Sequence, residues 1–177
     1  RMISLINDLL NVTRIEEGRF LYKPAPTHLE LLTETAIQNA EDLLKIKKIK
    51  LDYKKPKRAL PQILADKEKV GLVIQNLLEN AIKYTPEEGT IQISLGQEKN
   101  NILFKIKDSG VGIPQDQQNR IFTKFFRGSN VMRLETDGSG LGLYTAKNII
   151  DAHKGKIWFE SQEGQGTTFY FTLPIMP

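Results

Sequence analysis

Two glycine clusters constrain this chain more than any other part of it. The first, DSGVGIP at residues 108–114, sets an acidic residue ahead of two glycines and a proline. The second, GSGLGL at residues 138–143, spaces three glycines at alternate positions. Only a residue without Cβ lets a ligand press against backbone, or lets the chain take positive φ cheaply. The second cluster opens a stretch with helical apolar spacing, and the N–H groups at a helix start attract phosphate. The pair reads as a nucleotide site, with adenine at the first cluster and phosphates at the second.

The bulk properties fit one soluble domain with an appendage. The chain has 177 residues, 40% hydrophobic and 26% charged, and no apolar run nears the roughly 18 residues of a membrane helix. No signal-peptide pattern opens it. A cytoplasmic location is expected, with a parent protein that is either soluble or anchored in the inner membrane. The absence of cysteine excludes disulfides, thiolate metal sites and thiol catalysis. Net charge is +4, concentrated in KIKKIKLDYKKPKR at residues 45–58. Those lysines alternate with Ile46, Ile49, Leu51 and Tyr53, the pattern of the wet side of a helix end and strand. No nucleic-acid partner is expected.

Residues 2–17 predict a helix with two adjoining apolar stripes, Met2, Leu5, Leu9, Val12 and Ile3, Ile6, Leu10, Thr13, ending at Gly18. Two stripes imply a bundle helix. Residues 20–27, with Pro24 and Pro26, predict extended chain. Thr27, with Glu30 at capping-box spacing, predicts a helix start, followed by Leu31, Leu32, Thr35, Ile37, Ala40, Leu43 and Leu44. A strand over residues 48–53, a short strand at Ala65 and a cap at Asp66 come next. In the helix over residues 67–84, Val70, Val73, Ile74, Leu77, Leu78 and Ala81 fill one face. Asn76, Asn80, Lys83 and Tyr84 share its flank, and two asparagines are poor helix formers. Strands over residues 90–95 and 101–107 form a hairpin that delivers Asp108 at its carboxyl end. A short helix from Pro114 to Ile121, a helix from Gly140 to His153 and strands over residues 156–161 and 167–173 complete the order. The fold class is α+β: a two-layer sandwich with a mixed sheet covered by helices on one face, preceded by the bundle helix.

With these residues in view, the chain resembles the catalytic ATP-binding domain of sensor histidine kinases, of the superfamily that includes the gyrase ATPase domain. NLLENAIKYT (76–85) resembles the N box, DSGVGIP the G1 box, RIFTKFFRG (120–128) the F box, GSGLGL the G2 box and GQGTTF (164–169) the last glycine-threonine element. LINDLLNVTRIEEG (5–18) resembles the end of the second dimerisation helix. The expected division is therefore 1–18 as that helix and 19–177 as the catalytic domain.

The resemblance implies ATP and Mg²⁺ as cofactors. Asp108, acceptor-only when ionised, would take the exocyclic amine of adenine, with Thr167 completing the contact through water and Gly110 and Gly112 shaping the loop. Asn80 would be the magnesium ligand, a single neutral oxygen suited to a cation that keeps water and phosphate oxygens. Asn76, Lys83 and Tyr84 would border the phosphates, together with Gly138, Gly140, Leu141, Gly142 and Leu143. Arg127 would reach the γ-phosphate; Phe126 would lie against the nucleotide and Phe122 in the core. Asn76, Lys83 and Arg127 are the candidate catalytic residues. Gyrase-type ATPases carry a general-base glutamate where this chain has Asn76, so transfer to a protein nucleophile is favoured over hydrolysis. Glu79 reads as a solvated carboxylate. Residues 128–138 would form a lid in which Val131, Met132 and Leu134 contact the dimerisation helices.

The implied partners are ATP and ADP, the phosphoacceptor helix of a homodimeric parent kinase and a response regulator. The acceptor histidine of the family stands before an acidic residue, and neither His28 nor His153 does. His28 reads as a helix-start residue and His153 as a helix C-terminal one. The chain is expected to bind ATP without phosphorylating itself. A non-catalytic ATP-sensing module and an anti-sigma-factor serine kinase of the same superfamily are the alternatives. Walker A and HRD motifs are absent.

Overall fold

A computed structural model describes residues 2–17, 21–129 and 138–176. Gly18, the expected division at residues 18–19, and Val131, Met132 and Leu134 lie outside them.

The first helix, α1 (Met2–Glu16), is followed by β1 (Ala25–Thr27), α2 (Leu29–Ile46), β2 (Lys50–Lys54), β3 (Ile63–Ala65) and α3 (Lys67–Tyr84). Then come β4 (Thr90–Glu98), β5 (Asn101–Asp108), a 3₁₀ turn (Gln115–Arg120), α4 (Gly142–Ala152), β6 (Lys156–Gln162) and β7 (Gly166–Pro174). Five strands form one sheet in the order β2-β4-β5-β7-β6. β2 runs parallel to β4, and the other three pairings are antiparallel. The parallel pair needs a crossover, which α3 supplies. β1 and β3 make a separate two-stranded ribbon.

Strict alternation sorts the sheet faces. Ile91, Ile93 and Leu95 of β4, Ile102, Phe104 and Ile106 of β5, and Phe169, Phe171 and Leu173 of β7 are buried in one core. Phe104 and Phe171 stack at its centre, 4.7 Å between ring centroids. Helices α2, α3 and α4 contribute their apolar faces to the same core, which is the expected two-layer, mixed-sheet sandwich. Ile91 pairs with Asp108, and Ile93 with Ile106. The two-residue period therefore turns the Asp108 side chain toward the helical layer.

Several local expectations need correction. α2 buries Leu29, Thr33, Ala36, Ala40 and Leu44, whereas Leu31 and Leu43 are exposed. Small residues at Ala36 and Ala40 allow close approach to α3, and that packing selects the stripe. Thr27 does not cap α2: His28 is the N-cap residue, and the Thr27 hydroxyl donates to Ala25 O and Ala65 O inside the ribbon. Glu30 accepts Leu60 N instead of closing a capping box. The β4–β5 turn is tighter than expected, because pairing continues to Glu98 and Asn101. α4 starts at Gly142 rather than Gly140.

α1 packs on α4 through its C-terminal part, where Val12 is 3% exposed and Glu16 pairs with Lys124. Ile6, Leu9 and Leu10 keep about half their surface exposed (50%, 52% and 46%).

Candidate nucleotide site

α3 supplies one wall. Asp66 starts it, with Oδ1 accepting from Glu68 N and Lys69 N, and Val70, Val73, Ile74, Leu77, Leu78, Ala81 and Ile82 bury its core face. That geometry leaves Asn76, Asn80, Lys83 and Tyr84 half-buried on the flank, toward the two glycine clusters.

Each cluster touches this flank. The Asn76 Nδ2 donates to Gly142 O at 3.4 Å, so the start of α4 lies against α3. A Cβ on Gly138 would sit 3.1 Å from Lys83 Nζ and 3.7 Å from Arg127 Nε, so both cations meet at that glycine. Gly140 holds φ +68, and its Cβ would collide with Phe125 C at 2.7 Å, which locks the second cluster onto the F-box backbone. The first cluster meets the end of α3. Val111 N donates to Tyr84 O at 3.2 Å, and a Cβ on Gly110 would lie 2.6 Å from the same oxygen.

Asp108 forms the floor. Its Oδ1 accepts Gly110 N at 2.8 Å and Thr167 N at 3.1 Å. Burial pushes its carboxyl above the ordinary value, and the two N–H donors only partly counter that. Gly166, at φ +97, passes so close that a Cβ would fall 2.1 Å from Asp108 O. The floor and the α3 flank are thus contiguous, with negative charge at one end and two cations at the other.

Other expected residues sit at the margin. A Cβ on Gly112, at φ +67, would strike Gln162 O at 2.1 Å, so this glycine serves packing against the β6–β7 turn. Leu141 is 1% exposed, its N–H donating to the Ser139 hydroxyl and its carbonyl accepting Thr145 N, so it packs inward, and Leu143 packs against the core. The Phe126 ring lies under the Arg120 guanidinium, 4.9 Å away. Phe122 meets Phe159 edge-on at 6.0 Å and joins the core, as expected. Glu79 is exposed and accepts Gln75 Nε2 at 2.8 Å. Among the described residues no group of three His, Cys, Asp or Glu could hold a metal. The Asn80 amide fits an ion ligated mainly by phosphate and water.

Ser161 is a residue that motif reading passed over. Its hydroxyl accepts Ile113 N at 2.9 Å and shares a 2.9 Å hydrogen bond with the Thr167 hydroxyl, joining the first cluster to the strand beneath Asp108. Counting the hairpin register back from EGQG pairs Ser161 with Thr167 and was the available signal.

Residues 65–177 match the family described as histidine kinase-, DNA gyrase B- and HSP90-like ATPase. The chain belongs to that family, as an ATP-binding domain of the sensor histidine kinase kind. It is 39% identical over 176 residues to the adaptive-response sensory kinase SasA of Gloeothece citriformis, covering 98% of this chain and 44% of that protein. The crystal structure of full-length ShkA in complex with AMPPNP superposes with a TM-score of 0.84 at 28% identity, over 98% of this chain and 36% of ShkA. The histidine kinase ThkA, in complex with the response regulator protein TrrA, gives 0.77 at 26% identity, over 99% of this chain and 49% of that one. The chain spans less than half the length of these relatives. No helix among the described residues is long and apolar enough to cross a membrane.

Proposed function

We propose that this domain binds Mg-ATP and transfers the γ-phosphate to a histidine on a helical segment outside the chain, for relay to a response regulator. Residues 1–18 are then the end of the dimerisation hairpin, and residues 19–177 the catalytic domain. The observation that carries the reading is the meeting of Lys83 and Arg127 at Gly138, on the same α3 flank whose end rests on the Asp108 loop. The AMPPNP in ShkA and the regulator bound to ThkA support it.

Asp108 Oδ2 is the acceptor for the adenine amine, since Oδ1 already takes two backbone donors. An anionic acceptor there disfavours the carbonyl of guanine. Thr167 supports the same edge. Lys83 and Arg127 orient the phosphates and spread charge as the bond from γ-phosphorus to the bridging oxygen breaks, ADP departs and histidine nitrogen takes its place. Asn76, neutral and tied to Gly142, activates no water, which favours a protein nucleophile. Asn80 would hold Mg²⁺, which supplies charge neutralisation at the phosphates.

The test is incubation with γ-labelled ATP and a separately made helical hairpin carrying the acceptor histidine. Label on that histidine, reduced about 10²–10³-fold by Arg127→Ala, is expected. Tight binding without transfer favours an ATP-sensing module, and no binding ends the proposal.

A further inference from the structure

The C-terminal end of α3 is held from outside the helix. The last carbonyls of any α-helix have no partner within it and must find donors elsewhere. Here Ala81 O takes the cap N–H of Thr85, and Tyr84 O takes Val111 N. The remaining oxygens go to one side chain. Lys47, the residue that closes α2, donates from Nζ to Ile82 O at 2.9 Å, Lys83 O at 2.9 Å and Thr85 O at 3.0 Å. An ammonium has three donors and no acceptor, and all three are used. A cation at a helix C-terminus is also favoured by the helix dipole. The Lys47 main chain is tied down too: its N–H donates to Leu43 O and its carbonyl accepts Glu88 N, both at 3.1 Å.

We propose that Lys47 is a positioning residue for the base end of the nucleotide site. The route is short. Lys47 sets the three carbonyls that flank Tyr84 O, and Tyr84 O receives Val111 N. The same oxygen limits the space at Gly110, whose own N–H is bonded to Asp108 Oδ1 at 2.8 Å. A shift of the α3 end therefore moves the loop that presents the Asp108 carboxylate, and with it the Lys83 backbone. Lys47 itself touches neither of the two glycine clusters in any of its hydrogen bonds; it acts through the α3 terminus. The inference rests on the ATP-binding reading for its functional half and on geometry alone for its structural half.

The experiment compares Lys47→Met, which keeps the aliphatic stem, and Lys47→Arg, which keeps a multiple donor, with the parent chain. Amide hydrogen exchange is measured without ligand, and calorimetry with Mg-ATP and Mg-GTP well below the melting temperature. In K47M, exchange at Val111 and Gly110 should quicken at least tenfold while Ile106 in β5 stays protected. Affinity for Mg-ATP should fall about tenfold and the preference over Mg-GTP should shrink. K47R should recover most of both. Unchanged exchange at Val111 and Gly110 in K47M, whatever happens to the melting temperature, overturns the proposal. So does unchanged affinity with unchanged base preference, the outcome a merely structural lysine gives. A parent chain that binds no Mg-ATP would sink the functional reading, and the exchange result would still decide whether Lys47 holds the loop.

Discussion

The backbone N–H of Thr167 points at Asp108 Oδ1 from 3.1 Å, although the two residues are 59 apart in sequence. With the Gly110 N–H, this contact fixes the carboxylate at the end of the strand. One carboxylate oxygen is filled by main-chain donors, and on the reading proposed above the other takes the adenine amine. Asp108→Asn keeps the shape and the Oδ1 acceptor but presents an amide donor or a neutral oxygen. ATP affinity should drop about 10–100-fold, the value of a charge-assisted hydrogen bond of about 1.5–3 kcal/mol. The melting temperature should hold or rise, because the variant no longer buries a charge. Calorimetry and thermal melts on one preparation check both halves.

Burial raises the Asp108 carboxyl above its ordinary 3.8, and the sign of the pH effect follows. Between the unfolded and folded values the native state binds more protons than the unfolded one, so this group's contribution to stability declines as pH rises through that window. On the reading proposed above, ATP binding runs the other way, since the carboxylate would be the acceptor for the adenine amine. Affinity should weaken on acidification before an ordinary surface carboxylate would titrate. The pH dependence of Mg-ATP affinity should be flatter in Asp108→Asn than in the parent.

Gly110 has no room for a side chain: a Cβ would meet Tyr84 O at 2.6 Å and Asp108 Oδ1 at 2.7 Å. Gly110→Ala should cost about 1–3 kcal/mol of stability by overpacking and reduce ATP affinity as the loop leaves α3. Gly71, on the same helix, has nothing within 4 Å of its Cβ position. Gly71→Ala should be neutral or stabilising by about 0.5–1 kcal/mol through helix propensity. Urea unfolding of both variants measures the contrast.

α2 ends in a left-handed residue that is not glycine. Lys48 has φ 53, and Ile49 N reaches back to Leu44 O at 2.9 Å, the bond pattern that glycine at this position normally closes. Lys48→Gly should stabilise the protein by about 0.5–1 kcal/mol, the relief of left-handed strain less the added unfolded-state entropy. Its exposed 3.9 Å pairing with Glu88 offers little to lose. A higher urea midpoint at unchanged slope is the expected reading.

His153 accepts Asp66 N at Nε2, 3.0 Å away, and its Nδ1 lies 2.7 Å from Ile149 O. The carbonyl can only accept, so Nδ1 carries the proton and Nε2 is the acceptor. His153→Phe retains an edge for the Tyr22 ring, now 5.2 Å from the imidazole, but strands the Asp66 N–H. A loss of about 1–3 kcal/mol is expected, read by thermal unfolding with the circular dichroism of the folded state unchanged.

Much of this architecture was legible because burial follows period. The α3 face and its polar flank came directly from 100° spacing, and the delivery of Asp108 at the carboxyl end of a hairpin from the alternation of its strands. α2 was harder: its leucines outnumber its alanines, and the stripe chosen is the one whose small residues let two helices approach. Nor did local pattern place β2 beside β4, since the hydrogen-bonding edge of a strand carries no side-chain signature.

The residue types of the candidate site, their order and their spacing were determined by sequence alone, because glycine, asparagine and aspartate are each selected by local backbone or ligand chemistry. Tertiary structure decided how the ends of the elements are satisfied. Lys47 serves carbonyls 35, 36 and 38 residues away, and His153 serves an N–H 87 residues away. A helix terminus takes its missing partner from whatever donor or acceptor the packed fold brings within 3 Å, and no local pattern specifies which.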